Sequence, residues 1–247
     1  MFKKMMASLG VGAAKVDTVL EQTSVFQGES LRGLVKITGG DVEQHIDAIT
    51  IKLNCEMKVE SDDNGVSYQT ITLGHVCATE PFEIGAGEER HVPFTLQLHD
   101  EIPVTAVNAR YNQCKVWLET ELDIDFALDP SDRDYIEIKP LPVVEKIISI
   151  IEQAGFEMVK ADVESGYCRG NGFESVSGCY QELEFSNGAF LDKKEIELTF
   201  ILNGNYVHCL TEIDRRFSGG DQYRSFTLSR SATEGEIRQA LLPTLGL

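Results

Sequence analysis

The sequence predicts a mainly β protein: a β-sandwich, a short proline-containing linker, and a second β-rich domain that carries two short helices. Three observations predict it. Residues 116–128 place Val116, Leu118, Leu122, Ile124, Phe126 and Leu128 at every second position, interrupted only by Thr120. Between them sit Trp117, Glu119, Glu121, Asp123 and Asp125, so one face is apolar and the other charged, as in a half-buried strand. A second alternating run, Ile49, Ile51, Leu53, Cys55, Met57 and Val59, is interleaved with Thr, Lys, Asn and Glu. Third, Gly, Asn and Pro turn signals punctuate short strand patterns at the spacing of a sandwich.

Taken in order, residues 1–14 carry Phe2, Met5, Met6 and Leu9 at helical spacing, which predicts a short docking helix rather than a signal peptide. Residues 14–21 predict a strand, with Val16 and Leu20 on one face. Gln27-Gly28 turns the chain, and Leu31, Gly33, Val35 and Ile37 mark the next strand, ended by Gly39-Gly40. The turn Asp63-Asn64-Gly65 suits a hairpin between 49–60 and 67–78. Val92, Phe94, Leu96 and Leu98 mark a strand whose Pro93 places it at a sheet edge. Asp129-Pro130 breaks the long strand, a short strand over 135–138 follows, and Pro140 and Pro142 stiffen a linker. The predicted domains are therefore 1–139 and 140–247.

In the second domain, Val144, Ile147, Ile148 and Ile151 predict a short helix started by Pro142 and stopped at Gly155. Asn203-Gly204 predicts a two-residue hairpin turn pairing Phe200 with Val207 and Leu198 with Cys209, with Thr199 opposite His208. Thr233 and Glu236 predict a capping box on a terminal helix ended by Pro243.

Five segments resemble the arrestin-like sporulation-control protein family in order and spacing: KVDTVLE (15–21), GGDVEQHIDAITIKL (39–53), EPFEIGAGEERHVPFTL (80–96), IPVTAV (102–107) and the whole of 116–139. GAAKVDTVLE is similar to that family's opening. The resemblance implies two arrestin-like β-sandwich domains and a cytoplasmic regulatory role. It supplies no catalytic residues.

The net charge is −18, with 12 basic and 24 acidic side chains up to Pro142. This argues against a nucleic-acid partner and against docking on an anionic membrane, and it suits either solubility or a basic protein partner. No run of residues reaches the length of a membrane span. The six cysteines form no C-x-x-C pair and read as reduced thiols of a cytoplasmic protein; Cys168 and Cys179 bracket a Gly-rich segment and are the pair to examine.

No motif calls for a cofactor, a metal or a catalytic residue. The carboxylates 119–125 lie on a solvated face, where no pKa is raised for acid-base work. Asp129, Asp132 and Asp134 form a loose calcium-like loop with the wrong spacing for an EF-hand and read as a turn whose aspartates bond backbone amides. His75 and Cys77 supply two zinc-type ligands where four are needed. Residues 166–178 lack the Lys-Ser/Thr of a phosphate loop and read as a mobile surface loop. The reading is a non-enzymatic scaffold that binds proteins through strand edges and loops, with self-association through those edges a further outcome. Trp117, Glu119, Glu121, Asp123 and Asp125 form its candidate partner-binding face. A hydrolase or metal-dependent enzyme and a calcium-responsive membrane module are the alternatives.

Overall fold

The structure, a computed structural model, describes residues 12–60, 65–124, 129–189, 193–215 and 222–246. The expected N-terminal docking helix, most of the 63–65 turn and Asp125 lie outside the described residues.

The first half is a sandwich. One sheet holds β1 (Lys15–Leu20), β3 (Ser30–Thr38) and β7 (Glu89–Gln97), all antiparallel, with β7 at the edge where Pro93 places it. The facing sheet is organised on β4 (Gln44–Glu60), which alternates as its sequence demands. One side of β4 pairs with β6 (Phe82–Ile84) and then β5 (Val66–Cys77); the other pairs with β9 (Val116–Ile124), which in turn pairs with β10 (Ser131–Tyr135). Leu31, Val35, Ile49, Ile51, Leu53, Val116, Leu118 and Leu122 meet between the two sheets. A short β2 (Ser24–Phe26) pairs in parallel with β11 (Glu137–Lys139).

Thr120 sits among the buried side chains of β9, and its Oγ1 accepts a hydrogen bond from Thr18 Oγ1 on the opposite sheet (2.7 Å). The apparent break in the apolar row is thus a hydroxyl pair that satisfies itself across the core. Asp132 adds a second link, its Oδ2 accepting from the Thr18 amide at 2.7 Å.

The second half begins with α1 (Pro142–Gln153), which buries Val144, Ile147 and Ile151 and is followed by Gly155 at φ 92°. An antiparallel sheet follows in the order β12 (Glu157–Ser165), β15 (Cys179–Ser186), β16 (Lys194–Asn203), β17 (Tyr206–Arg215) and β18 (Gln222–Ser229). Its apolar face shares one core with α1 and with α2 (Glu234–Leu245). The capping box forms: the Thr233 hydroxyl accepts from the Glu236 amide while the Glu236 carboxylate accepts from the Thr233 amide. Contrary to expectation, α2 runs through Pro243, and Gly246 in the left-handed region closes it.

The β16–β17 hairpin forms, but its register corrects the expected one. Phe200 faces Cys209, Leu202 faces Val207 and Ile201 faces His208, so the turn is Gly204-Asn205. Gly204 takes φ 55°, while Asn203 stays in the ladder opposite Tyr206. The slip is by two residues, so every side chain keeps its face.

The halves are joined through β4. Where β9 ends, β12 takes its place beside β4, pairing Glu164 with Lys58 in parallel, and the Lys58 Nζ–Glu164 Oε1 ion pair spans 2.9 Å with side chains 16% and 14% exposed. Gln181 locks the other side: it accepts from the Val104 amide (2.9 Å) and donates to the Val104 carbonyl (2.7 Å).

Leu53 is wholly buried, so Leu53→Ala is expected to lower unfolding free energy by about 2–5 kcal/mol in urea denaturation. Thr120→Val strands the Thr18 hydroxyl and is expected to cost about 1–3 kcal/mol, whereas the double variant Thr18→Val/Thr120→Val should cost less than the sum of the singles.

Candidate functional site

The outward row of β9 is largely answered by its neighbours. Glu119 accepts from Asn54 Nδ2 at 2.9 Å and pairs with Arg133 at 3.3 Å; Glu121 pairs with Lys52 at 2.6 Å; Asp123 is exposed. Trp117 lies on the same side but is only 3% exposed. It is covered by the cross-strand residues of β10, with Arg133 4.9 Å above its ring and the Tyr135 ring centroid 6.0 Å away. Its Nε1 is buried with no hydrogen-bond partner among the described residues.

Of Asp129, Asp132 and Asp134, the first two accept backbone amides, Asp129 from its place just before β10 and Asp132 from within β10. Asp129 bonds the Ile124 amide (3.1 Å), and Asp132 bonds Thr18 and Arg133. Asp134 is pushed up to about 6 by burial, then by the charge of Asp132. His75 and Cys77 are both exposed on β5, the strand on the outer side of β4. All six cysteines are free thiols. Cys168 and Cys179 do not pair with each other; Cys179 hydrogen-bonds Cys55, and that bond together with burial drives the Cys55 thiol far up.

The Gly-rich segment is a folded hairpin, β13 (Arg169–Gly170) against β14 (Phe173–Glu174), rather than an unattached loop. Glu101 accepts from the Val176 amide (2.9 Å) and the Ser177 amide (2.8 Å), Asn171 donates to Ser225 (3.0 Å), and Phe173 stacks on His208 at 4.8 Å. His208 has its pKa lowered by desolvation and contacts Thr227 at 2.8 Å.

Beneath this hairpin the sheet carries an acidic face that sequence reading did not identify. In one cross-strand row Lys160 faces Glu184, Glu184 faces Glu197, Glu197 faces Glu212, and Glu212 faces Tyr223. In the next row Asp162 faces Glu182. Lys160 holds Asp162 at 2.7 Å and Glu184 at 2.6 Å. Among the described residues no Lys or Arg pairs with Glu182, Glu197 or Glu212. Burial pushes Glu182 up to about 8, reinforced by Glu197 and Glu164; burial and the neighbouring Glu212 push Glu197 up to about 7. Carboxylates directly opposite one another repel, and here that repulsion is retained on a partly buried surface. The sequence signal was present as Glu182-Leu-Glu184 and Glu195-Ile-Glu197, but the row exists only through the register.

Fold and surface together describe a two-part, arrestin-like β protein with extended acidic strand faces. Residues 2–217 match the family model described as SpoOM protein. The chain is 36% identical over 222 residues to the sporulation-control protein spo0M of Bacillus subtilis, covering 88% of this chain and 82% of that one. It superposes on the crystal structure of Spo0M from Bacillus subtilis with a TM-score of 0.76 and 31% identity, over 90% of this chain and 92% of that one. The chain belongs to the Spo0M family.

The raised carboxyls set a pH dependence. Unfolded, both glutamates take the ordinary value of 4.5, so between about pH 4.5 and 8 the folded state holds protons that the unfolded state has released. Their contribution therefore destabilises progressively as pH rises through that window. Glu182→Gln and Glu197→Gln are expected to raise the melting temperature at pH 8 relative to wild type by roughly 2–4 °C, about 1 kcal/mol, with little effect at pH 5, by calorimetry.

Proposed function

We propose that this protein is a non-catalytic regulator in the cytoplasm that acts by binding proteins with basic surfaces, in the control of sporulation or of a related step of growth or division. The regulatory part of this reading rests on the family and on the relative's name as a sporulation-control protein. The observation that carries the binding part is the acidic face of the second half. Glu182, Glu197 and Glu212 there lack basic partners among the described residues, and Glu197 and Glu212 oppose each other at a cost to the fold, which a partner's Lys or Arg would offset. The row Trp117, Glu119, Glu121, Asp123 and Asp125 is the second candidate surface. Its accessible part is the Asp123 end, since Trp117 is covered and Glu119 and Glu121 are paired within the fold. No helix among the described residues is long and apolar enough to cross a membrane.

The domain boundary at Lys139–Pro140 is part of the same proposal. A fragment of 1–139 keeps both sheets of the sandwich and the β2–β11 pair, losing β12, the partner of β8 (Tyr111–Asn112) and of the end of β4, and is expected to show a β-type circular dichroism spectrum and a cooperative melt.

Binding is tested by affinity capture from the native cell with mass spectrometry. Partners are expected to elute as ionic strength rises, because screening acts over ~8 Å at physiological salt. The combined change Glu119→Gln, Glu121→Gln, Asp123→Asn separates the two surfaces: partners lost from it use the first half, and partners it retains use the second. In a Bacillus subtilis strain lacking its own sporulation-control protein, this chain is expected to restore counts of heat-resistant spores. Salt-insensitive capture together with no change in spore counts would sink the reading.

A further inference from the structure

We propose that the cavity between the 166–178 hairpin and the acidic face of β15–β17 receives the ammonium or guanidinium group of a lysine or arginine side chain presented by a partner protein. This rests on the protein-binding reading above and names the chemistry of one contact within it. The cavity measures about 360 Å³. Glu182, Glu197 and Glu212 line its sheet side, and Tyr167, Tyr180 and Tyr223 form the aromatic part of its wall.

Each feature selects an organic cation. Aromatic faces attract ammonium and guanidinium groups and accept their apolar stems, while carboxylates supply the countercharge. The carboxylates occupy neighbouring positions on three adjacent strands, so a cation entering from above meets more than one of them. Asp162, across the ladder from Glu182 and outside the cavity lining, is 1% exposed in its side chain; its Oδ2 pairs with Lys160, and its Oδ1 has no hydrogen-bond partner among the described residues. Arg169, which also lines the cavity, is paired with Glu174, and among the described residues Glu182, Glu197 and Glu212 have no basic partner.

A metal ion fits less well. Oxygens of Asp162, Glu182 and Glu184 lie within 4.8 Å of one another, but the Lys160 ammonium already bonds two of these residues. Lys160 shows the kind of group these carboxylates accept: an ammonium on a flexible apolar stem. Tyr167 and Tyr223, both largely exposed, stand where an entering side chain would pass.

The experiment is calorimetric titration of the full chain at low ionic strength with short blocked Gly/Ser peptides. One carries a single central Arg, one a Lys, and one a citrulline, the neutral shape-mimic of Arg. The Arg and Lys peptides are expected to bind saturably and the citrulline peptide not. The double change Glu197→Gln/Glu212→Gln is expected to weaken the Arg peptide roughly tenfold while leaving the fold at least as stable. Tyr223→Leu, which leaves every carboxylate in place, is expected to weaken it less, and Glu119→Gln, on the other half, not at all. Absence of saturable binding by both charged peptides, or equal binding by the double variant, overturns the proposal. Spermidine or calcium chloride binding where the peptides fail would overturn it too, assigning the carboxylates to a free cation. If the double variant loses the Arg peptide but still captures every native partner, this cavity is not the contact, and the broader reading stands. A wild-type chain that binds the Arg peptide but captures no protein would sink the broader reading instead.

Discussion

The architecture depends on the hydrogen-bonding demand of one long strand. β4 spans 17 residues, on the order of 55 Å if fully extended, and donors and acceptors along both of its sides need partners wherever they are buried. On one side β6 and β5 succeed each other. On the other, β9 covers Ile46 to Cys55 and then turns away, leaving the end of β4 open. β12 fills that place at Lys58, so the sheet of the second half is a continuation of the sheet of the first. The direction in which the second sheet leaves β4 fixes where its acidic face and the hairpin above it lie.

Buried polar groups in the two halves are handled one by one. Gln181 bonds both backbone groups of Val104, Gln27 donates to the Ile102 carbonyl at 2.7 Å, and Thr18 meets Thr120 across the sandwich. Each satisfied pair contributes modestly to stability, but each would be costly to leave half-made, so these contacts specify the packing more than they strengthen it. Gln27 Oε1 and Trp117 Nε1 are exceptions, buried with no hydrogen-bond partner among the described residues; the Trp117 ring packs against Arg133 and Tyr135.

What was legible in the sequence was whatever depends on period and local chemistry. The alternation of 49–60 and 116–124, the edge position of Pro93, the helix after Pro142 and the capping box at Thr233 all follow from neighbours within a few residues. Apart from the helix end expected at Pro243 and the register of the Gly204 turn, what failed depends on distant partners. Thr120 read as a gap in an apolar row because its partner, Thr18, is 102 residues away. The 166–178 segment read as a mobile loop because its anchors, Glu101 and Ser225, lie far off in sequence. The Gly204 hairpin was legible in its faces and not in its register, since a slip of two preserves the alternation. Most of the candidate site was of the second kind. Its glutamates were visible one strand at a time, but their meeting was not.

The two acidic faces, similar in sequence, therefore differ in physics. On β9 the strands on either side supply Lys52 and Arg133, so the carboxylates are paired and near water, where such pairs contribute little either way. On β15–β17 the neighbouring strands supply more glutamates, and the hairpin above them excludes part of the solvent that would screen the charge. A lower effective dielectric strengthens repulsion within the face, and it equally strengthens attraction for a cation that enters. Burial first, and neighbouring carboxylates second, raise the pKa of Glu182 and Glu197, so a cation that enters would be bound with release of protons from them.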